Sequence, residues 1–238
     1  DGTDAAYDSV DVGDFGKDDN GGGLTLTSIT VFNATYIGGG TNGNKHTDSG
    51  LNNAFRIRDS FGGHYYNSIF SDFKSGGIRI DNDNKGRNAK NDVSFVDNIF
   101  YGDGAAFSSF TNVYSSKNNT SVSGVGVDPY SLSSKGNIIN IDPFKKRRDG
   151  VTTLAGSISS KFDRRGLYNG GVGLDPRPDD GQTGVTTATG EPATFFTNVG
   201  YKGAFDPTFS ASNIWTGTPN STTNPAWGVF GLKYQDLQ

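Results

Sequence analysis

Residues 53–82 read NAFRIRDSFGGHYYNSIFSDFKSGGIRIDN, flanked by LTLTSITVFNATYIGG at 24–39 and NDVSFVDNIFYG at 91–102. Two kinds of short segment alternate through this stretch. One kind is SITVF, NSIFSDF and DNIFYG, marked by Ile29, Ile69 and Ile99; the other is AFRIRD and GIRIDN, marked by Ile57 and Ile80. Within the second kind Phe55 and Ile57 alternate with Arg56 and Arg58, and Ile78 and Ile80 flank Arg79. That is the period of two expected of a strand, not the 3.6 of a helix. A unit of two or three short strands in about 20 to 30 residues is too small to bury its own apolar side, so it has to stack on its neighbours. The fold expected is therefore all-β: a right-handed parallel β-helix, a solenoid with long loop excursions and an irregular aromatic-rich C-terminal tail. Antiparallel hairpins in a sandwich would alternate in the same way, but with strands recurring every 8 to 12 residues or so. Turns are predicted at Gly62-Gly63, Gly76-Gly77 and Gly102 to Gly104, where positive φ costs glycine nothing.

Composition agrees with a narrow core. Only 32% of the 238 residues are hydrophobic and 35 are glycine, yet 17 Phe and 10 Tyr are far too many aromatics for a disordered chain. Two regions are expected: 1–150, β-helix coils with an acidic, Gly-rich lead-in, and 151–238, an irregular extended segment and tail packing on the β-helix. The runs 38–53 and 81–92 read as loop excursions, and 111–141, with GNIINID at 136–142, as one or two further irregular coils. The lead-in DGTDAAYDSVDVGDFGKDDNGGG shows no amphipathic capping helix. Solenoid ends expose strand edges and need a cover, so self-association or another chain over the N-terminal end is expected. The chain holds neither Cys nor Met and starts at Asp1, as expected of a piece trimmed from a longer precursor.

Several function classes are disfavoured. Without cysteine there is no disulfide, no thiolate metal site and no Cys nucleophile. A net charge of −4 argues against nucleic acid as a partner, and KKRR at 145–148 is too short to reverse that. No apolar run approaches the ~18 residues of a membrane span.

The coil GGHYYNSIFSDFKSGGIRIDN (62–82), LDPRP (174–178) and FFTNVGYKGAFDP (195–207) resemble the C-terminal portion of secreted right-handed parallel β-helix proteins of Bacteroidota-type bacteria, within the pectate-lyase-like superfold. The resemblance covers most of the chain from Leu24 onward. It implies a β-helix and a secreted, extracellular or cell-surface location more than it implies a reaction. GGH at 62–64 and GIRI at 77–80 also resemble two motifs of polygalacturonases, but Tyr65 follows His64, Asp81 follows Ile80, and no paired Asp-Asp with an upstream Asn-Thr-Asp precedes His64. Asp59 and Asp72 are the nearby carboxylates for a two-carboxylate hydrolase, and nothing in the sequence places them together.

Candidate ligand contacts remain. Carbohydrate would engage Arg56, Arg58, His64 and Arg79 on the coils and Trp215 and Trp227 in the tail. The same arginines also fit a solvated or cross-strand paired outer ladder, and His64 a turn position beside Gly63. DNDNKG at 81–86 copies the start of a calcium loop, with Asp81, Asp83 and Asp92 at ligand positions, although Lys85 stands where an oxygen donor is needed. Calcium is the one cofactor the sequence offers; the alternative is an Asx-rich turn. The expected function is a non-enzymatic extracellular structural or adhesive β-helix protein, a subunit of a surface fibre or sheath. Carbohydrate binding, or polysaccharide degradation by a lyase or hydrolase, is the alternative.

Overall fold

The computed structural model describes residues 10–11, 28–38, 53–57, 62–73, 76–80, 93–102, 105–116, 128–144, 177–179, 181–182, 184–186, 196–197 and 199–208. Strands dominate, and the helical turns among the described residues are two short 3₁₀ turns, Phe110–Val113 and Leu132–Ser134. In chain order the strands are β1 (Val10–Asp11), β2 (Ser28–Phe32), β3 (Thr35–Ile37), β4 (Asn53–Ile57), β5 (Gly62–Tyr66), β6 (Ile69–Phe73), β7 (Gly76–Ile80), β8 (Val93–Val96), β9 (Ile99–Gly102) and β10 (Tyr114–Ser116).

They form three sheets, each built from every third strand. The first sheet runs β1-β4-β7-β10, the second β2-β5-β8 and the third β3-β6-β9. Every pairing between them is parallel. One strand from each sheet makes one rung, and successive rungs repeat the register. Phe55 lies opposite Ile78 and Ile57 opposite Ile80, as the AFRI and GIRI segments imply. The other sequence alignment is corrected. Ile29 pairs with Gly63, not with Ile69, whose partners are Thr35 and Ile99. Strands of the second and third sheets are all short and share the same alternation, so a period of two cannot tell them apart; the repeat has three strands, and SITVF belongs with GGHYY and VSFV.

Aromatic side chains fill the interior in columns. Tyr36, Phe70 and Phe100 stack along the third sheet at 5.1 and 5.0 Å between ring centroids, and Tyr65 lies over Phe95 on the second at 5.4 Å. Phe55 reaches across from the first sheet to Phe70 at 4.6 Å. Each such ring, removed from water, contributes about 1.5–3 kcal/mol. Burial also pushes the Tyr36 and Tyr65 hydroxyls above the ordinary tyrosine range.

The glycine pairs turn out to be strand residues rather than turns. Gly62-Gly63 open β5 and Gly76-Gly77 open β7. At Gly77 the reason is space: a Cβ there would come within 2.7 Å of Val113 and 2.9 Å of Phe100. Positive φ falls instead on Asn33, Asn67 and Asp97, each the first of two residues joining the second sheet to the third. Asn and Asp tolerate this left-handed backbone better than other side chains. Gly136, with φ of 69°, holds the same place in a fourth turn, after which Ile138 bridges to Ile99. The 111–141 region thus supplies one irregular rung from β10 and the 128–144 segment.

The second residue of each turn forms a buried ladder. Ala34 N–H donates to Ser68 Oγ at 3.0 Å, Ser68 N–H to Asn98 Oδ1 at 2.8 Å, and Asn98 N–H to Asn137 Oδ1 at 2.9 Å. The amide nitrogens donate in turn to core-strand carbonyls, Asn98 to Tyr65 and Asn137 to Phe95. Polar groups this deep persist only when paired, and these are.

At the far end Tyr130 packs over Phe95 and Tyr114, and Leu132 is fully buried. This lid is pinned by Asp128, whose carboxylate accepts from Tyr114 Oη at 2.6 Å, Leu132 N–H at 2.8 Å and Ser133 N–H at 2.9 Å.

Candidate functional site

Two surfaces stand out, both positioned by the turn between the second and third sheets. The first is the outer face of the second sheet. Val31, Tyr65 and Phe95 point into the core, so their neighbours Thr30, His64 and Ser94, aligned in register, point out. His64 Nδ1 and Ser94 Oγ share a hydrogen bond of 2.8 Å. One step along, Phe32, Tyr66 and Val96 form a partly exposed row, and Phe196 stacks on Phe32 at 5.3 Å. Hydroxyl, imidazole and ring faces on one flat strip can hydrogen-bond and stack against a neutral polar ligand.

The second surface is the turn edge itself, which the tail crosses as a strap. Gly203 N–H donates to Asn67 O at 2.7 Å, and Ala204 N–H to Thr35 Oγ1 at 2.8 Å. Asn33 Nδ2 donates to the carbonyls of Tyr201 and Gly203, at 2.7 and 3.1 Å. Lys202 is 2% exposed and donates from Nζ to Asp97 O at 2.6 Å, with Asp97 Oδ1 at 3.8 Å. Burial pulls its ammonium below the ordinary lysine range, against the opposing pull of Asp97. Gly203 has φ of 88°, and a Cβ on it would sit 2.7 Å from Thr35 Oγ1 and 2.8 Å from Ile69. Beneath the strap, Ile69 and Ile99 on the outer face of the third sheet pack with Phe144 and Val185.

The sequence candidates distribute unevenly over this frame. His64 lies in β5 on the outer strip rather than in a turn. Arg79 is 5% exposed, so it is not a solvated ladder residue; its backbone partners are Arg56 and Ser115. Arg56 lies in β4, and nothing further of its side chain is described. Arg58, Asp59, Asp81, Asp83, Asp92, Trp215, Trp227 and the KKRR run lie outside the described residues, so the structure does not bring the calcium set together or separate it. Among the described residues no three His, Cys, Asp or Glu side chains are grouped to hold a metal ion, and no helix is long and apolar enough to cross a membrane. Asp72 is buried, with φ of 64°, where the β6–β9 register shifts, and accepts from Ser71 Oγ at 2.7 Å.

Reading the sequence missed Asn98, Asn137 and Lys202. A signal for the first two existed: NATYI, NSIF, DNIF and GNII each place Asn, Asp or Gly two residues before an alternating apolar run. Lys202 left none, because its partner Asp97 is 105 positions away. Comparison with family models, curated proteins and solved structures finds no match to this chain.

Proposed function

We propose that this chain is a non-enzymatic structural or adhesive element of the extracellular surface, built as a right-handed parallel β-helix and joined to further copies in a fibre or sheath. The β-helix is supported by strands that interleave with a period of three in three parallel sheets. Right-handedness follows from the near-universal hand of parallel crossovers.

One observation carries the functional reading: the two ends of the stack differ. One is closed over the second and third sheets by residues 128–144. At the other, among the described residues, β1, β2 and β3 are the edge strands of the three sheets, and Ile29 there is 38% exposed. An apolar cross-section ringed by strand edges favours association through backbone pairing. Sedimentation velocity and negative-stain microscopy of the native protein test it. Ordered assemblies weakened by Ile29→Lys are expected; a monodisperse monomer at all concentrations would defeat the reading. Antibody labelling of intact cells tests the location.

The strip Thr30, His64, Ser94 with Phe32 and Tyr66 favours a second reading, carbohydrate binding. Its measurement is a glycan array with wild type and Tyr66→Ala, where equal signals from the two would remove the strip from consideration.

A further inference from the structure

We propose that the turn edge of the stack is a recognition site for the segment 199–206, and that a second copy of this chain can fill it with its own segment. The proposal rests on the self-association reading and names a joint for it separate from the β1–β3 end.

The strap is held as a ligand is held in a built site. It touches three successive rungs through residues that share one structural role: Asn33, Asn67 and Asp97, the left-handed first residues of the turns. Each offers a polar group outward, an amide from Asn33 and backbone carbonyls from Asn67 and Asp97, and the strap meets every one. Lys202 enters deepest. Its ammonium reaches a carbonyl that would otherwise face no donor from the strap, and a charge so buried is retained only where its hydrogen bonds are met. Gly203 is the one residue type that fits its place, since the backbone is left-handed and Thr35 and Ile69 leave no room for a Cβ. The site therefore reads a Lys-Gly pair at fixed spacing across rungs.

The contacts do not depend on the strap belonging to the same chain. Lys202 N–H donates to Val185 O at 2.9 Å, so 199–206 travels with 184–186, and Asp179 N–H donates to Pro143 O at 2.8 Å. Between Phe144 and Arg177 lie 32 residues, a length that reaches about 100 Å when fully extended. The footprint on three rungs is only about 10 Å. Tethering gives the chain's own strap an effective concentration on the order of millimolar, so exchange stays latent until that strap is disabled or copies are crowded.

Two variants unmask it. Gly203→Val spoils the strap and leaves the turn edge intact. Asn33→Gly with Thr35→Val removes three strap hydrogen bonds, keeps the left-handed turn and the β-branched strand residue, and leaves the strap intact. Each is expected to be folded by circular dichroism and monomeric by sedimentation at dilute concentration, while an equimolar mixture forms a heterodimer. A mixture that sediments as two monomers overturns the proposal. If the double variant does not fold, a peptide of residues 199–208, VGYKGAFDPT, titrated into the Gly203→Val protein takes its place. Saturable binding that weakens at least about tenfold with Lys202→Met in the peptide supports the proposal; no binding, or no loss with Met, overturns it. Wild-type assemblies without a heterodimer would refute strap exchange and leave the structural reading standing. A heterodimer beside a strictly monomeric wild type would do the reverse.

Discussion

The outer faces of the second and third sheets start from the same backbone and end differently. On the third, Ile69 and Ile99 are fully buried beneath Phe144 and Val185, and β6 is buried at every position. On the second, Thr30 is exposed and His64, Phe32 and Tyr66 keep part of their surface. Strands buried on both faces carry stability, and strands with one wet face are free to carry contacts. Tail residues 184–186 and 199–206 lie on the third sheet, while the second, met by Phe196 at Phe32, presents polar and aromatic groups.

That contrast can be tested by removing side chains from each face. Ile99→Ala should cost about 2–5 kcal/mol in denaturant unfolding, because it opens a cavity between the sheet and Phe144. A cost below about 1 kcal/mol would mean that the cover is loosely held. Next comes the turn that both sheets share. Asn98→Ala strips an acceptor from Ser68 N–H and a donor from Tyr65 O, both buried, and should cost about 1–3 kcal/mol. Hydrogen exchange should quicken at Ser68 and at its neighbours in β6; unchanged protection there would show that the ladder does not couple the rungs.

Acid should loosen the lid before the third sheet. Burial alone would raise the Asp128 carboxyl, but hydrogen bonds from Ser133, Tyr114 and Leu132 outweigh it and hold it below the ordinary 3.8. A carboxyl depressed in the folded state adds stability that is present above its unfolded value and is lost as pH falls through the folded value. Below about pH 4 the wild type should therefore lose stability faster than Asp128→Asn, and parallel acid titrations of the two would contradict the assignment. Smallest is His64→Ala, expected within about 0.5 kcal/mol of wild type. A larger loss would make the outer strip part of the scaffold rather than a free surface.

The same contrast explains what could be read in advance. Alternation at 54–57 and 77–80 was legible because β4 and β7 share Arg and Ile in register, two of the four positions, and are apolar at a third. The second and third sheets blurred together, since SITVF and NSIF carry the same pattern and differ in partners, which local periodicity does not encode. Gly-Gly pairs were misread as turns; at Gly77 the cause is close packing against Val113 and Phe100, contributed by other rungs. His64 was found by its type, but its partner Ser94 was not, because only the register brings them together. A tail packing on the coils was expected, but the contacts of the strap were not legible, for a related reason: Gly203, Ala204 and Lys202 are ordinary tail residues until Asn67, Thr35 and Asp97 lie beneath them.

The ladder also has a direction. Every turn lends its N–H to a side chain in the rung that follows, from Ala34 to Ser68, from Ser68 to Asn98 and from Asn98 to Asn137. Donors precede their acceptors along the chain, so the N–H of each turn has its ladder partner only once the following rung is in place. The strap at Lys202 comes after these turns in the chain and lies across the row from outside. Ala34 offers only a methyl group where the other rungs offer an oxygen, so this vectorial sequence begins at Ala34 and an earlier turn stacked on it would find no side chain to receive its N–H.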